Sequence, residues 1–354
     1  MRVLIVDDSA SARRLLTVIL ERDPAITVVG EATTGVEAIE KTVELHPDLI
    51  TMDAQMPVMD GFEATRRIMR EMPCPIVMVS AVHSPSEVAW SFKALEAGAL
   101  TVLAKPDGPR SPLFEAQSAA LITSVKELSN VRVVTRRTPR PPLPSVTRLQ
   151  PRGPIAPADI RLVAVGASTG GPAALAKILA GLDPKFPVPI VIVQHIGGGF
   201  DTGLVDWLKR VSGPGVSIAT HGAAMRPGNV YISPTDRHLG VSASGQVLLD
   251  DSAPIRGHRP SATHLFSSVA RAYGAHALGL ILTGIGNDGC DGLRALKQAG
   301  GLVLAQDRES SVVYGMPKAA VDAGLADRVV SLDEVPAVLK SLVRAPQPKT
   351  GTGR

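Results

Sequence analysis

The chain has little cysteine and no long apolar run. Cys74 and Cys290 are the only cysteines among 354 residues, and their positions match neither a metal-ligand nor a redox spacing. A membrane helix needs about 20 consecutive apolar residues, and no stretch of the sequence approaches that length. The first apolar run meets Asp7 and Asp8 too soon for a secretory signal. These absences predict a protein of the reducing cytoplasm.

Acidic residues are scarce between positions 130 and 161. This stretch has seven arginines and one acid, Asp159, a net +6 in a chain whose total is only +4. Seven prolines between 139 and 157 favour an extended chain, at roughly 3.1 Å per residue. We interpret residues 126–157 as a Pro/Arg-rich linker and expect no nucleic-acid binding. The alternative is a polybasic contact with anionic lipid or nucleic acid.

A chain of this length is sufficient for two domains, and its first part alternates strands with helices. In residues 1–125 the predicted strands are Val3–Val6, Ile26–Gly30, Leu49–Met52, Ile76–Val79 and Leu100–Leu103. The predicted helices are Ala10–Arg22, Val36–His46, Gly61–Glu71 and Pro85–Ala97. Such alternation is typical of an α/β domain in which a doubly wound parallel sheet has helices on both faces.

Polar side chains follow four of these strands. Asp7 and Asp8 follow the first strand, Asp53 the third, Ser80 the fourth and Lys105 the fifth. Function in parallel sheets collects at the carboxyl ends of the strands. Three carboxylates repel one another there unless a cation lies between them, and Mg²⁺ prefers oxygen ligands. With a lysine and a hydroxyl that bind phosphate oxygens, the pattern predicts a phosphoryl site; a solvated acidic edge is the alternative.

Residues 1–125 resemble response-regulator receiver domains. The segment PDLITMDAQMPVMDG at 47–61 is similar to the phosphoacceptor segment of that family, and the Lys105-Pro106 pair resembles its terminal signature. The resemblance implies a flavodoxin-like fold and phosphorylation of Asp53 by a histidine kinase. It also implies that Mg²⁺ is held by Asp7, Asp8 and Asp53, and that the phosphoryl group is sensed by Ser80 and Lys105.

Residues 158–345 alternate in the same way and predict a second, larger parallel sheet. The predicted strands are Leu162–Val165, Ile190–Gln194, Ser217–Thr220, Val230–Ser233, Leu278–Leu282, Leu302–Gln306 and Arg328–Ser331, with a hairpin at His238–Val241 and Gln246–Asp250. The predicted helices are Ala173–Leu182, Leu204–Arg210, Ala262–Tyr273, Leu293–Ala299 and Pro317–Ala323.

The most informative segment is GASTG at 166–170. It lies between an apolar strand and a helix-like stretch with Pro172 in its first turn. A strand, a tight turn that carries a serine and a helix form the layout of a nucleophile elbow. The small residues around the serine permit a sharp turn and the approach of a substrate carbonyl. The segment therefore predicts Ser168 as the nucleophile of ester or amide hydrolysis.

Two further residues complete a candidate catalytic set. His195 ends one predicted strand, and Asp288 follows another, so their loops share a sheet edge with that of Ser168. A serine needs an adjacent base, and histidine serves because it titrates near neutral pH. A carboxylate fixes the tautomer of the histidine and stabilises the imidazolium. We predict a Ser168–His195–Asp288 triad that needs no cofactor.

Each part of this set has an alternative. A glycine-rich turn before a helix also suits phosphate, although its spacing does not match the dinucleotide fingerprint and no acid ends the next strand. His221 also follows a strand and competes with His195 as the base. Cys290 is a second candidate nucleophile, against the interpretation that it is a small buried residue. Asp291 is a candidate helix cap.

The second half resembles the catalytic domain of the chemotaxis protein-glutamate methylesterases. The similar segments are VGASTGG at 165–171, VQH at 193–195, RPS at 259–261, LTGIGNDG at 282–289 and YGMP at 314–317. The resemblance implies that Ser168 is the nucleophile, His195 the base and Asp288 its orienting acid. The backbone N–H groups of Thr169 and Ile285 are the expected oxyanion donors.

Three positions depart from the family patterns. The segment IGGGF at 196–200, with Gly197–Gly199, follows the histidine where the esterases usually have Met-Pro, and Ile285 stands where they usually have methionine. The glycine run is expected to loosen the loop beside the base. Val102 lies where receivers often have an aromatic switch residue, so we expect a different coupling between phosphorylation and output.

The order of receiver, linker and esterase completes the resemblance. It predicts a phosphorylation-activated enzyme that hydrolyses glutamate methyl esters on chemoreceptors, releases methanol and deamidates glutamine. The expected partners are the receptors, which provide the only link to a membrane, and a histidine kinase. Residues 346–354 are predicted to be a disordered tail. The alternatives are a degenerate esterase that only binds receptors and a DNA-binding regulator, which requires a helix-turn-helix.

Overall fold

The computed structural model of the chain describes residues 1–80, 92–93, 95–129, 131 and 159–343. Most of the predicted helix Pro85–Ala97, nearly all of the linker 126–157 and the tail 346–354 lie outside the described residues. Residues 92–93 and 95–97 are helical, as predicted for the end of that helix. No helix in the described part of the chain is both long and apolar enough to cross a bilayer.

The first domain is built on a five-stranded parallel sheet. Its strands are β1 (Arg2–Val6), β2 (Thr27–Ala32), β3 (Leu49–Met52), β4 (Ile76–Ser80) and β5 (Thr101–Ala104). They lie in the order β2-β1-β3-β4-β5 and every pair is parallel. The helices with described bounds are α1 (Ala10–Leu20), α2 (Gly35–Leu45), α3 (Gly61–Glu71) and α4 (Phe114–Ser129). This is the predicted doubly wound arrangement.

The sequence analysis did not predict α4. Its buried positions include Ser118 and Ser124 beside Leu121, Val125 and Leu128, so polar residues interrupt the apolar period that indicates a helix. The helix packs its leucine and valine side chains into the core beside β1 and α1. It ends at Ser129, four residues beyond the predicted domain boundary at 125.

The second domain has a seven-stranded parallel sheet. Its strands are β6 (Leu162–Ala167), β7 (Ile190–Gln194), β8 (Gly215–Ile218), β9 (Asn229–Ile232), β12 (Ala277–Ile281), β13 (Leu302–Gln306) and β14 (Arg328–Val330). Their order is β14-β13-β12-β6-β7-β9-β8. The predicted hairpin forms a separate antiparallel pair, β10 (His238–Val241) with β11 (Val247–Asp250).

Six helices accompany this sheet in the described residues. They are α5 (Gly171–Ala180), α6 (Asp201–Val211), α7 (Ala262–Tyr273), α8 (Cys290–Gln298), α9 (Met316–Asp322) and α10 (Val335–Leu342). The sequence analysis did not predict α10. Pro336 interrupts its short apolar run, but the proline occupies the first turn of the helix, where its missing N–H needs no partner.

Central strands β6 and β12 place the nucleophile turn in the middle of the sheet. One face of the sheet packs against α7 and α8 through residues such as Phe266 and Leu293. The other face packs against α5 and α6, and this second core continues into the first domain. The predicted class, α/β with two parallel-sheet domains, is confirmed.

The two domains contact each other beside the predicted catalytic edge. The Phe92 ring of the first domain stacks on Trp207 at 5.6 Å and meets Phe200 edge-on at 6.5 Å between centroids. The indole Nε1 of Trp207 donates a hydrogen bond of 2.5 Å to Oε1 of Glu96. The contact thus combines buried aromatic area with a charge-assisted hydrogen bond.

Candidate active site

Ser168 and His195 are adjacent because β6 and β7 are parallel neighbours in register. Ala167 lies opposite Gln194 at the end of this pair, so Ser168 and His195 are the next residues on each strand. The N–H of His195 donates to the carbonyl oxygen of Ala167 at 2.9 Å, which continues the ladder by one residue. The nucleophile and the base predicted from the sequence therefore lie at the same edge.

The turn after β6 is shaped by two glycines. Gly170, with φ 78°, takes the left-handed conformation that glycine adopts readily. Gly284 passes so close to the nucleophile that an added Cβ would lie 2.6 Å from Cβ of Ser168. The N–H of Ser168 donates to the carbonyl oxygen of Thr283 at 3.0 Å. The loop after β12 therefore contacts the nucleophile directly.

His195 is oriented by Asp288. Its Nε2 lies 2.9 Å from Oδ2 of the buried carboxylate. Because a carboxylate only accepts hydrogen bonds, Nε2 carries the proton and Nδ1 is a free acceptor. Nδ1 is buried and has no hydrogen-bond partner among the described residues. No hydrogen bond joins Ser168 Oγ to either nitrogen in this part of the chain; such bonds tighten when substrate binds.

Asp288 is held as an anion by four further donors from its own turn and the start of α7. They are Ser261 Oγ at 2.8 Å and the N–H groups of Ala262 at 2.7 Å, Gly289 at 2.9 Å and Thr263 at 3.1 Å. Burial alone would raise the pKa of Asp288, but the hydrogen bonds from His195, Ser261 and Thr263 hold that pKa well below its usual range. Asp288 therefore stays charged opposite His195.

Gln194 joins the nucleophile turn to the base, a role that the sequence analysis missed. Its Nε2 donates to the carbonyl oxygens of Ser168 and His195, both at 2.8 Å. The side chain is buried, so these bonds also satisfy two carbonyls away from water. The signal for this role was present, because Gln194 is a polar residue at the end of an otherwise apolar strand.

Thr283 and Gln306 support the same edge from the other side. Thr283 Oγ1 donates to the carbonyl oxygen of Thr169 at 2.8 Å and accepts from the N–H of Val313 at 2.9 Å. Gln306 Oε1 accepts from the N–H of Thr283 at 2.8 Å. Amide and hydroxyl side chains at the ends of three strands thereby fix the loops around Ser168.

The predicted oxyanion donors lie in the turns that meet at Ser168. The preceding N–H groups, of Ser168 and Gly284, are bonded to carbonyl oxygens. The N–H groups of Thr169 and Ile285 donate to no atom of the described residues. They are the next N–H groups along each turn, so both are available to a substrate oxygen.

The alternative candidates have other partners or lie elsewhere. His221 Nδ1 accepts from the N–H of Leu249 on the hairpin, away from β6. Burial raises the pKa of the Cys290 thiol, which disfavours the thiolate that a nucleophile needs. Asp291 lies in the first turn of α8 and pairs with Arg256 and Arg294, both at 2.7 Å, without capping the helix.

The predicted phosphoryl site lies at the carboxyl edge of the first sheet. Lys105 Nζ lies 2.7 Å from Asp7 Oδ2 and 3.2 Å from Asp53 Oδ2. Ser80 is buried at the end of β4, and its carbonyl oxygen accepts from the N–H of Lys105 at 3.0 Å. Burial raises the pKa of Asp53 to about 6, although the charge of Lys105 lowers it in part. This edge thus brings Lys105 together with several carboxylates.

The donor set at this edge fits Mg²⁺. Each of Asp7, Asp8 and Asp53 offers a carboxylate oxygen, and the three oxygens lie within 4.8 Å of one another. Asp7 and Asp53 are buried whereas Asp8 is exposed, so the cluster opens to solvent on one side. Among the described residues three carboxylates meet one lysine, Lys105, which matches a hard divalent cation with oxygen ligands.

Comparison with known proteins assigns both halves. Residues 163–339 match the family described as CheB methylesterase, and residues 3–113 match the response regulator receiver domain. This chain belongs to the CheB methylesterase family. A protein-glutamate methylesterase/protein-glutamine glutaminase 4 of Myxococcus xanthus (strain DK1622) is 50% identical over 346 residues, 97% of this chain and 97% of the relative.

Two other proteins of the CheB methylesterase family support the assignment. A protein-glutamate methylesterase/protein-glutamine glutaminase 1 of Syntrophus aciditrophicus (strain SB) is 46% identical over 98% of this chain and 100% of its own length. The crystal structure of the Thermotoga maritima CheB methylesterase catalytic domain is 40% identical, with a TM-score of 0.51. It covers 52% of this chain and 99% of the solved domain. The receiver and methylesterase resemblances are confirmed.

Proposed function

We propose that the chain hydrolyses glutamate methyl esters of chemoreceptors and deamidates receptor glutamines, using Ser168, His195 and Asp288. The activity is the one named for relatives that match nearly the whole chain. One observation carries the assignment of roles. Asp288 accepts a hydrogen bond from Nε2 of His195, so the buried Nδ1 carries no proton and is free to accept one. Ser168 and His195 each follow the paired residues Ala167 and Gln194 by one position and therefore lie side by side.

The first half of the reaction transfers the glutamyl group to the enzyme. Ser168 Oγ forms a bond to the ester carbonyl carbon while its proton passes to Nδ1 of His195. The carbonyl oxygen becomes an oxyanion that accepts hydrogen bonds from the N–H groups of Thr169 and Ile285; one such donor contributes about 3 kcal/mol at the transition state. The bond to the methoxyl oxygen then breaks, and methanol leaves with the proton from Nδ1.

The second half frees the enzyme. Water attacks the glutamyl ester of Ser168, and Nδ1 of His195 takes its proton. The tetrahedral intermediate collapses with cleavage of the bond to Ser168 Oγ, which regains the proton. Asp288 stays ionised throughout, because its hydrogen bonds favour the anion. A glutamine amide follows the same path and releases ammonia, for which proton donation from His195 matters more.

In the receiver we propose that Asp53 accepts a phosphoryl group from a histidine kinase. Asp7, Asp8 and Asp53 would hold Mg²⁺, which would neutralise part of the charge that gathers there. Lys105, already within 3.2 Å of both buried carboxylates, would bind the phosphoryl oxygens as a point charge, with Ser80 beside it. Phosphorylation would add a charge of about −1.5 to −2.

We propose that the unphosphorylated receiver inhibits the esterase by docking on it. The loop after His195 runs against β5, since a Cβ added at Gly197 would lie 3.3 Å from Cβ of Ala104. Lys105, the proposed phosphoryl-sensing residue, directly follows Ala104 in the chain. It therefore lies next to the contact between β5 and the loop that follows His195. Phosphorylation would favour a state in which this contact is released.

We also propose the bounds of the domains, the cellular setting and the partners. We assign residues 1–125 to the receiver, which the end of α4 extends to Ser129, the rest of 126–157 to the linker and 158–345 to the esterase. The two cysteines of the described residues are unpaired thiols, which supports a reducing, cytoplasmic setting. The proposed partners are chemoreceptors and a histidine kinase, with no nucleic acid.

Two experiments test the function and its control. Methanol release from methylated receptor membranes should be abolished by Ser168→Ala in a folded protein; near-normal turnover would exclude the nucleophile. Deleting residues 1 to about 130 should raise the activity measured without a phosphodonor. If the truncated enzyme is no faster than the unphosphorylated full chain, inhibition by docking is wrong.

A further inference from the structure

A second histidine lies flat against the proposed base. The ring centroids of His195 and His258 are 4.2 Å apart, and the two planes differ by only 4°. No sequence motif predicted this contact, because the two residues are 63 positions apart in the chain. His258 has no role in the mechanism proposed for Ser168, His195 and Asp288.

The His258 ring is presented by a tight turn. Ile255 and His258 exchange two backbone hydrogen bonds of 3.0 Å each. The two residues between them, Arg256 and Gly257, have φ values of 51° and 83°, which is the conformation of a two-residue hairpin turn. The Arg256 guanidinium donates to Oδ2 of Asp291 at 2.7 Å, at the start of α8. The turn is therefore fixed to the same helix that follows Asp288.

The charges around His258 favour its neutral form. Burial lowers the pKa of His258, and a positive charge on His195 lowers it further, whereas Asp288 opposes this effect. A proton that enters the pair during catalysis is therefore retained by His195, which has the carboxylate partner. The neutral ring of His258 then offers its π face to the imidazolium of His195, an arrangement that stabilises a cation.

We propose that His258 is a positioning residue of the esterase, which fixes the ring plane of His195 and stabilises the imidazolium that forms during attack. The inference rests on the base role of His195 proposed above. Rotation of the His195 ring would turn Nε2 away from Asp288 and Nδ1 away from Ser168. A parallel ring at 4.2 Å blocks that rotation from one side.

Three variants of the full chain test this role: His258→Ala, His258→Phe and His258→Leu. Methanol release from methylated receptor membranes is measured with saturating phosphodonor. Removing the ring should lower kcat about tenfold, the effect of losing one cation–π contact, with KM within about twofold. Phenylalanine restores a flat neutral ring and should keep kcat within about threefold of the wild type. Leucine, of similar volume without a π face, should resemble alanine.

The contrast between phenylalanine and leucine separates positioning from packing. Equal kcat in His258→Phe and His258→Leu, or an unchanged kcat in His258→Ala, would overturn the proposal; if the alanine variant does not fold, the other pair decides. A second readout is the NMR titration of His258 in His195→Gln. Its pKa should rise when the facing imidazolium is lost, and an unchanged pKa would contradict the electrostatic part.

Ser168→Ala, measured in the same assay, separates this inference from the proposed function. If Ser168→Ala retains activity, the proposed triad fails and the role of His258 fails with it. If Ser168→Ala is inactive while His258→Ala keeps wild-type kcat, the triad stands and only the positioning role is wrong.

Discussion

Nε2 of His195 lies 2.9 Å from Oδ2 of Asp288, so in the proposed mechanism His195 takes the proton of Ser168 through Nδ1. In the serine protease arrangement the two nitrogens have the opposite roles, with Nδ1 bound to the carboxylate. The reversal follows from the fold. His195 continues the β6–β7 ladder through its own N–H, while Asp288 lies in the α7–α8 layer on the far side of the ring. The proposed mechanism therefore requires the tautomer of His195 in which Nδ1 carries no proton.

Asp288→Asn should lower kcat by about 10³ to 10⁴, with little change in KM. The amide donates to Nε2 and moves the proton of His195 to Nδ1, where it blocks proton transfer from Ser168. Methanol release from methylated receptors measures the loss. Asp322→Asn, at the exposed end of α9 and paired with Lys318, is the matched control and should keep wild-type kcat. Similar kcat values for the two variants would contradict the proposed tautomer.

Gln194→Met should lower both stability and kcat. The substitution keeps the side-chain volume but removes the donor that satisfies the carbonyl oxygens of Ser168 and His195. Each buried unsatisfied group costs about 1–3 kcal/mol, so the melting temperature should fall and the triad should loosen. Gln298→Met, at an exposed position of α8, is the control for the same chemical change. A wild-type melting temperature for Gln194→Met would show that these two bonds are not significant.

Glu96→Ala should raise the esterase activity of the unphosphorylated chain. Glu96 accepts the indole hydrogen bond of Trp207 at the contact between the domains. Losing it should weaken docking by about 1 kcal/mol, which lowers the equilibrium constant for docking about fivefold. Activity is compared with and without a phosphodonor. Glu115→Ala, which removes only the surface pair with Arg22, should leave the unphosphorylated rate unchanged. Equal unphosphorylated rates for Glu96→Ala and the wild type would show that this contact does not inhibit the esterase.

The stability contributed by Asp288 should depend on pH in a defined direction. Its pKa is lower in the folded chain than the ordinary value of 3.8, so ionised Asp288 stabilises the fold fully above that value. The contribution should fall as pH drops below about 3.9 toward the lowered pKa. Urea denaturation of the wild type and Asp288→Asn at several pH values measures this difference. A difference that grows below pH 4 would contradict the assignment.

The sequence predicted the fold well where apolar period and strand ends agree. Both parallel sheets, the hairpin and most helices follow from alternating apolar runs, and α7 occupies the predicted residues Ala262–Tyr273. The two missed helices have physical explanations. In α4 buried serines interrupt the apolar period, and in α10 the residue Pro336 resembles a helix breaker although it lies in the first turn.

The sequence predicted that the candidate site residues share one sheet edge, but not how they are connected. The carboxyl ends of parallel strands lie at one edge of a sheet, and this rule alone predicted that Ser168, His195 and Asp288 share that edge. Which nitrogen of His195 meets the carboxylate depends on the path of distant loops. The stacking of His258 likewise depends on a turn between Ile255 and His258 whose position is set by the packing of Arg256 on α8.

The most direct test of the account is methanol release from methylated receptor membranes by the wild type and Ser168→Ala, each with and without a phosphodonor. We expect release by the wild type that rises when Asp53 is phosphorylated, and none from Ser168→Ala under either condition. Methanol release by a folded Ser168→Ala protein at a rate near that of the wild type would contradict it.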